Sequence, residues 1–148
     1  MGSMFNSSEF NCNISKWDVS KADDVSLMFA SSKFNGDISE WNISNVLNTW
    51  NMFYNSKFNG DISKWDVSNV KEMGSMFSGS KFNGDISGWN RFSLIRDKDM
   101  FLKSKIAEVM KSENPSFEQV KSHALNLKLE KNLQGVSRRK NKAIKVRL

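Results

Sequence analysis

Cysteine, histidine and proline are almost absent from this sequence. Its single cysteine, Cys12, excludes an internal disulfide and any zinc site built from several cysteines. Its single histidine, His123, leaves little for a catalytic triad or a histidine-rich metal site. No apolar run approaches the roughly 20 residues that a membrane-spanning helix needs. We therefore expect a protein that is not an enzyme, binds no cofactor or small-molecule substrate, and does not span a membrane.

The N-terminal residues also lack the basic region and apolar stretch of a secretory signal. From this we expect a cytoplasmic or virion-associated protein rather than a secreted one. The 148 residues suffice for about one domain with a modest core.

Charge is divided unevenly along the chain. Residues 1–90 carry 7 lysines, no arginine and 10 acidic residues, a net charge of −3. Residues 91–148 carry 15 basic and 6 acidic residues, a net charge of +9, and the two parts sum to +6. The imbalance predicts two segments with different roles.

Residues 1–90 repeat with a period of 24. The segment Ser-Lys-Phe-Asn-Gly-Asp-Ile-Ser occurs unchanged at 32–39, 56–63 and 80–87, and aligned columns of Met, Phe, Ile and Trp keep the same spacing. A fixed period of this length is typical of stacked repeats, in which each unit buries its apolar face against the next. The residues predicted to form this repeat core are Phe34, Ile38, Trp41, Phe53, Phe58, Ile62, Trp65, Phe77, Phe82, Ile86 and Trp89.

Each unit is predicted to hold a short helix and a short strand. Asn69 and Glu72 have the spacing of a capping box, and the apolar residues that follow lie at helical spacing. The alternation over 62–67 predicts a strand, and Gly84 predicts a turn, since glycine accepts a positive φ. The fold class expected is an α/β repeat solenoid, leucine-rich-repeat-like, with about four units over 1–95.

The repeat pattern Met-Phe-x4-Phe-Asn-Gly-Asp-Ile-Ser-x-Trp-Asp-Val-Ser-Asn-Val resembles that of the BspA-like leucine-rich-repeat proteins, also known as the mycoplasma-type surface-protein repeat of unknown function. The resemblance covers about residues 1–90. It implies a short solenoid that mediates protein contacts, and in cellular members it implies surface exposure and adhesion.

The remaining residues are predicted to form a helical cap over 96–135 and a basic tail over 136–148. One helix is expected from Asp97 to about Lys111, with Met100 and Phe101 in phase with the repeat. A second helix is expected to begin at Pro115 and to end near Gly135.

Two polar or aromatic columns allow two interpretations each. The carboxylates of Asp37, Asp61 and Asp85 could bind calcium, although turn chemistry is the favoured interpretation. The tryptophan column could form a carbohydrate or peptide platform, although core packing is favoured because these residues keep step with Ile and Phe.

The basic tail is a candidate polyanion-binding segment. A solvated end, docking to an acidic protein and binding to nucleic acid were all considered, in that order of preference. The residues concerned are Arg138, Arg139, Lys140, Lys142, Lys145 and Arg147.

The first unit is a candidate interface, because an uncapped repeat leaves apolar columns open. We expect it to dock against a second copy or another protein. The residues expected to be partly open are Met4, Phe5, Phe10, Ile14 and Trp17.

These features favour a non-enzymatic protein-interaction or assembly module, plausibly within a virion or another large complex. A cell-surface adhesin is the second hypothesis. A nucleic-acid-associated protein, acting through the basic tail, is the third.

Overall fold

The protein is built almost entirely from turns. The structure, a computed structural model, describes residues 1–91 and 96–145. Within them it contains two helices, α1 (Lys105–Val109) and α2 (Phe117–Lys145), and otherwise only isolated parallel β-bridges. These bridges join residues 24, 48, 72 and 96 in succession. The predicted α/β repeat solenoid is therefore wrong, because the described repeats contain neither the short helix nor the short strand.

Backbone hydrogen bonding explains why the repeats do not become helical. From Leu27 to Ser32, the N–H groups donate alternately to a carbonyl of the next repeat and to a carbonyl three residues earlier. The N–H of Met28 donates to the carbonyl of Val25 (3.2 Å), whereas that of Phe29 donates to the carbonyl of Met52 (2.9 Å). An α-helix needs all these donors for its own i→i−4 bonds. Successive repeats thus share their backbone donors and acceptors, which satisfies buried polar groups without regular secondary structure.

Left-handed backbone residues interrupt any helical path at four-residue spacing. Leu27 (φ 58°) and Ser31 (φ 54°) adopt this conformation, and Asn51 and Asn55 do so at the equivalent positions one repeat later. Such a φ is uncommon outside glycine and ends a right-handed helix.

The predicted capping box and strand are replaced by other contacts. The side-chain amide of Asn69 donates to the Ser44 carbonyl (2.7 Å) instead of capping a helix. Glu72 accepts a hydrogen bond from Arg96 (2.8 Å). In the predicted strand over 62–67, the N–H of Trp65 donates to the carbonyl of Ile62 and so closes a turn.

Aromatic ladders run through the stack of repeats. Along the first, neighbouring rings are nearly parallel with centroids 5.6 to 5.7 Å apart. A second phenylalanine column packs beside it, as in the stacked pair Phe53 and Phe58 at 4.1 Å. This in-register stacking buries a continuous core across repeats that could not bury their apolar faces alone. The first ladder consists of Phe5, Phe29, Phe53, Phe77 and Phe101.

Three equivalent positions require glycine because a side chain would not fit there, and not because the backbone has a positive φ. Gly36, Gly60 and Gly84 lie outside the left-handed region, which corrects the prediction made for Gly84. A Cβ at Gly60 would stand 2.8 Å from the ring of Phe58, and the other two glycines face the equivalent phenylalanine. The close approach of backbone and ring therefore excludes a side chain.

The repeat continues beyond the predicted boundary at 95, a position outside the described residues. The N–H of Phe77 donates to the carbonyl of Met100 (2.8 Å), so Met100 and Phe101 occupy the next level of the stack. The predicted helix from Asp97 to Lys111 is wrong over most of its length. Only α1 is helical there, and the hydroxyl of Ser104 caps it.

Helix α2 begins close to the predicted position but extends further. Ser116 and Gln119 form a reciprocal capping box at its N terminus, one residue after Pro115. The helix runs through Gly135 to Lys145 and does not end near Gly135. Phe117 and Val120 are buried against the repeat stack. Neither described helix combines the length and the apolar character needed to cross a membrane.

Candidate interaction site

The eleven residues predicted as the repeat core are all buried, with exposed fractions between 0% and 4%. The tryptophans among them are also hydrogen-bonded across repeats. The indole N–H groups of Trp41, Trp65 and Trp89 donate to carbonyls of the preceding unit, at 2.9 to 3.1 Å. These rings are therefore unavailable as an open platform for a sugar or peptide. The residues are Phe34, Ile38, Trp41, Phe53, Phe58, Ile62, Trp65, Phe77, Phe82, Ile86 and Trp89.

The first repeat is only partly covered. Met4 and Trp17 are exposed by 50% and 40%, and Phe5 and Phe10 are half-buried. Phe5 stacks on Phe10 with ring centroids 3.9 Å apart. Ile14 is buried, so the expectation that it would be partly open is wrong.

The basic tail begins as part of α2. Arg138 is exposed on that helix, and Lys145 is its last residue. Arg147 lies outside the described residues. The same holds for the side chains of Arg139, Lys140, Lys142 and Lys145.

The aspartate column forms turns. Oδ1 of Asp37, Asp61 and Asp85 accepts a hydrogen bond from the backbone N–H of the serine two residues later, at 2.7 to 2.9 Å. In the part of the chain that the structure describes, no group of three or more His, Cys, Asp or Glu residues is placed to hold a metal ion. Turn formation is the interpretation that this geometry supports.

These hydrogen bonds also shift the pKa values of the three aspartates. Donation by the Ser39 and Ser63 backbone N–H groups and hydroxyls lowers the pKa of Asp37 and Asp61. Burial acts to raise the pKa of Asp85, but hydrogen bonds from Lys128 and Ser87 outweigh it, so this pKa is also lowered.

We expect the protein to lose stability in acid. Because the folded-state pKa values lie below the ordinary value of 3.8, the carboxylates stabilise the fold fully above that pH, and the contribution is lost as the pH falls through the folded values. Urea midpoints measured from pH 6 down to pH 2.5 should fall accordingly. Asparagine already forms the equivalent turn at Asn13, where its Oδ1 accepts a hydrogen bond from the N–H of Ser15 (2.9 Å). A variant with Asp37→Asn and Asp61→Asn should therefore fold and show a shallower decline; an unchanged decline would contradict the assignment.

One surface feature was not predicted from the repeat: an exposed aromatic patch at the third level of the stack, consisting of Leu47, Trp50 and Tyr54. Their exposed fractions are 41%, 45% and 39%. Trp50 lies outside the buried tryptophan column, and its position in the repeat is held by Ser26 one unit earlier and Gly74 one unit later. The sequence alone shows that Trp50 is the one aromatic residue in a column that otherwise holds glycine, serine or lysine.

The neighbouring repeats hold the aromatic patch in place. A Cβ at Gly74 would stand 3.1 Å from Cδ1 of Trp50, so the indole lies against the backbone of the next repeat. The backbone carbonyls of Trp50 and Tyr54 accept hydrogen bonds from Leu27 (2.9 Å) and Ser31 (2.6 Å) of the preceding repeat. Bonds on both sides therefore fix the backbone that carries the exposed rings.

An open cleft of about 420 Å³ lies between α1 and the loop around Ser80. Its charged side chains are largely paired, with Lys105 2.9 Å from Glu108 and Lys103 3.7 Å from Glu113. These exposed ion pairs, Lys105–Glu108 and Lys103–Glu113, provide neither a nucleophile beside a base nor a set of metal ligands.

The repeat, the stacked turns and the first part of α2 all lie within regions matched by one family model. That model is described as Mycoplasma protein of unknown function, DUF285, and it matches residues 1–78 and 48–132. Neither the curated proteins nor the solved structures include a match. The matched regions together cover most of the sequence. The chain therefore belongs to the DUF285 family of Mycoplasma proteins of unknown function.

Proposed function

We propose that this chain is a non-catalytic protein-binding repeat module that holds its partner through the aromatic patch. The observation that carries the proposal is the placement of a half-exposed tryptophan, Trp50, where the neighbouring repeats have Ser26 and Gly74. Tryptophan and tyrosine contribute most of the binding energy at many protein interfaces. They also lose little conformational freedom on binding, since each has only two side-chain torsions.

The stacked repeats suit this role because they provide a fixed support. The rings beneath the surface are buried and stacked in register, and the backbone around Trp50 is bonded to the repeats on either side. A rigid support reduces the ordering cost of association. The BspA-like resemblance implies the same class of function, contact with other proteins. Assembly within a virion and adhesion at a cell surface are two settings in which such contact would operate.

Site-specific photo-cross-linking tests this proposal. A photoreactive residue is placed at Tyr54, and the protein is illuminated in an extract of the cells that produce it. We expect one discrete protein adduct. Trp50→Ser restores the residue found at Ser26 and should reduce the adduct yield about tenfold, the effect of losing an interface hot spot.

The matched control places the same photoreactive group at Lys98, which occupies the position equivalent to Trp50 two repeats later and is also exposed. That derivative should give little of the same adduct. Equal adducts from the two positions, or none from position 54, would contradict the proposal. Trp50→Ser should lower the urea midpoint less than truncation of a buried tryptophan does, because Trp50 is 45% exposed, and circular dichroism should show the fold preserved.

A further inference from the structure

Helix α2 is attached to the repeat stack along one face only. Phe117, Val120 and Ala124 are buried on this inner face. Two lysines strengthen the attachment: Lys121 donates to the Trp89 carbonyl (2.5 Å), and Lys128 lies 2.7 Å from an oxygen of Asp85. After Ala124, every described side chain up to Arg138 is exposed.

The outer face of α2 carries an apolar stripe, consisting of Leu125, Leu129, Leu133 and Val136. At 100° per residue these four positions fall within an arc of about 80°, away from the inner face. Their exposed fractions are 49%, 52%, 71% and 52%. Four large apolar side chains in contact with water on one side of a single helix indicate a binding surface.

The same part of the helix is strongly basic. From Lys128 to Lys145 the sequence contains seven Lys or Arg residues and one acidic residue, Glu130, a net charge of +6. At 100° per residue, Lys131 and Arg138 fall on the side of the helix opposite the apolar stripe, so this part of α2 has one apolar face and one basic face. An occupant of the outer face must accept the apolar side chains and tolerate, or be attracted by, the net positive charge of the helix.

We propose that α2 binds the surface of anionic lipid bilayers, lying in the plane of the headgroups with the apolar stripe at the acyl boundary. A bilayer accepts both features of the helix, because acyl chains bury the leucines while anionic headgroups attract lysine and arginine. A nucleic acid would satisfy the charge but would leave the stripe in water. A second copy of α2 would oppose one basic helix to another. Four side chains also fall short of the roughly 800 Å² that each partner buries in a stable interface.

Attachment through the inner face fits this arrangement. The apolar stripe points away from the residues that dock on the stack, so a flat surface can reach it while Phe117 and Val120 stay buried. The repeat stack and its aromatic patch are not needed for lipid binding, which makes the inference independent of the proposed protein partner.

Vesicle co-sedimentation of the full chain provides the test. One set of vesicles is phosphatidylcholine alone, and the other contains about a quarter phosphatidylglycerol as the anionic lipid. We expect binding to the anionic vesicles, weakened by salt, and little binding to the neutral ones. The double variant Leu129→Gln and Leu133→Gln should weaken anionic binding by about tenfold or more. Glutamine is a good helix former, so circular dichroism should show α2 preserved.

Leu127→Gln is the matched control, because Leu127 is a leucine of the same helix that lies outside the apolar stripe. It should leave vesicle binding within about threefold of the unchanged chain. A second variant, Lys131→Glu with Arg138→Glu, should weaken binding to the anionic vesicles alone. Unchanged binding of the double leucine variant would overturn the proposal, as would binding to duplex DNA without binding to either vesicle.

Discussion

Trp65→Ala is expected to lower the free energy of unfolding by about 3–5 kcal/mol, the usual cost of removing a large aromatic side chain from a core. Trp65 is 3% exposed, and its ring centroid lies 6.4 Å from that of Phe53. Its indole N–H donates to the Ile38 carbonyl at 3.1 Å. The substitution therefore leaves a cavity and removes one of the two hydrogen bonds that the Ile38 carbonyl accepts, the other coming from the N–H of Trp41 at 3.2 Å.

Urea unfolding followed by circular dichroism measures this loss. Trp17→Ala is the internal control, since Trp17 stands in the same column of the first repeat but is 40% exposed. We expect it to cost about half as much or less, because less buried surface is lost. A loss below about 1 kcal/mol for Trp65→Ala would mean that the tryptophan column does not support the stack.

Gly60→Ala is expected to destabilise the protein by about 1–3 kcal/mol through overpacking. The added methyl group would stand 2.8 and 2.9 Å from two ring carbons of Phe58, closer than carbon atoms normally approach. Phe58 cannot easily move aside, because it is fully buried and stacked on Phe53 at 4.1 Å. The same urea titration measures the effect.

The matched glycine substitution is Gly135→Ala in α2. A Cβ at Gly135 has no neighbour within 4 Å, so only helix propensity changes. Replacing glycine by alanine inside a helix should stabilise it by about 0.5–1 kcal/mol. The two substitutions should thus have opposite signs. Destabilisation of equal size at both positions would show that general backbone flexibility, and not contact with Phe58, controls the response at Gly60.

The local conformation of the repeats could not be predicted from their apolar spacing. Val70, Met73 and Phe77 lie at i, i+3 and i+7, which indicates a helix when donors and acceptors stay within one segment. Here the N–H of Met73 donates to the carbonyl of Arg96, 23 residues away, at 2.7 Å. Prediction from the spacing of apolar residues considers only hydrogen bonds within one segment, so it misses a hydrogen-bond partner this far along the chain.

The candidate interaction sites were predictable to different degrees. The departure of Trp50 from its column is visible by eye, but its exposure depends on which side of the turn faces water. The apolar stripe of α2 depends on the helix continuing past Gly135 and on Phe117 and Val120 occupying the opposite face. The predicted helix ended near Gly135, before Val136, so the complete stripe was not predicted.

The sequence by itself determined the 24-residue register and the columns that are buried, because identical spacing allows each apolar residue to pack on its counterpart in the next unit. Only the tertiary structure decided the backbone conformation. In the turn around Phe29, half of the backbone N–H groups donate to carbonyls of the neighbouring repeat. Turns that contain left-handed residues, such as Leu27 and Asn51, therefore have their backbone hydrogen bonds satisfied without a helix or a strand. The tertiary structure also decided which face of α2 docks on the stack and which stays in water, because the docked face is selected by contacts between residues far apart in the chain.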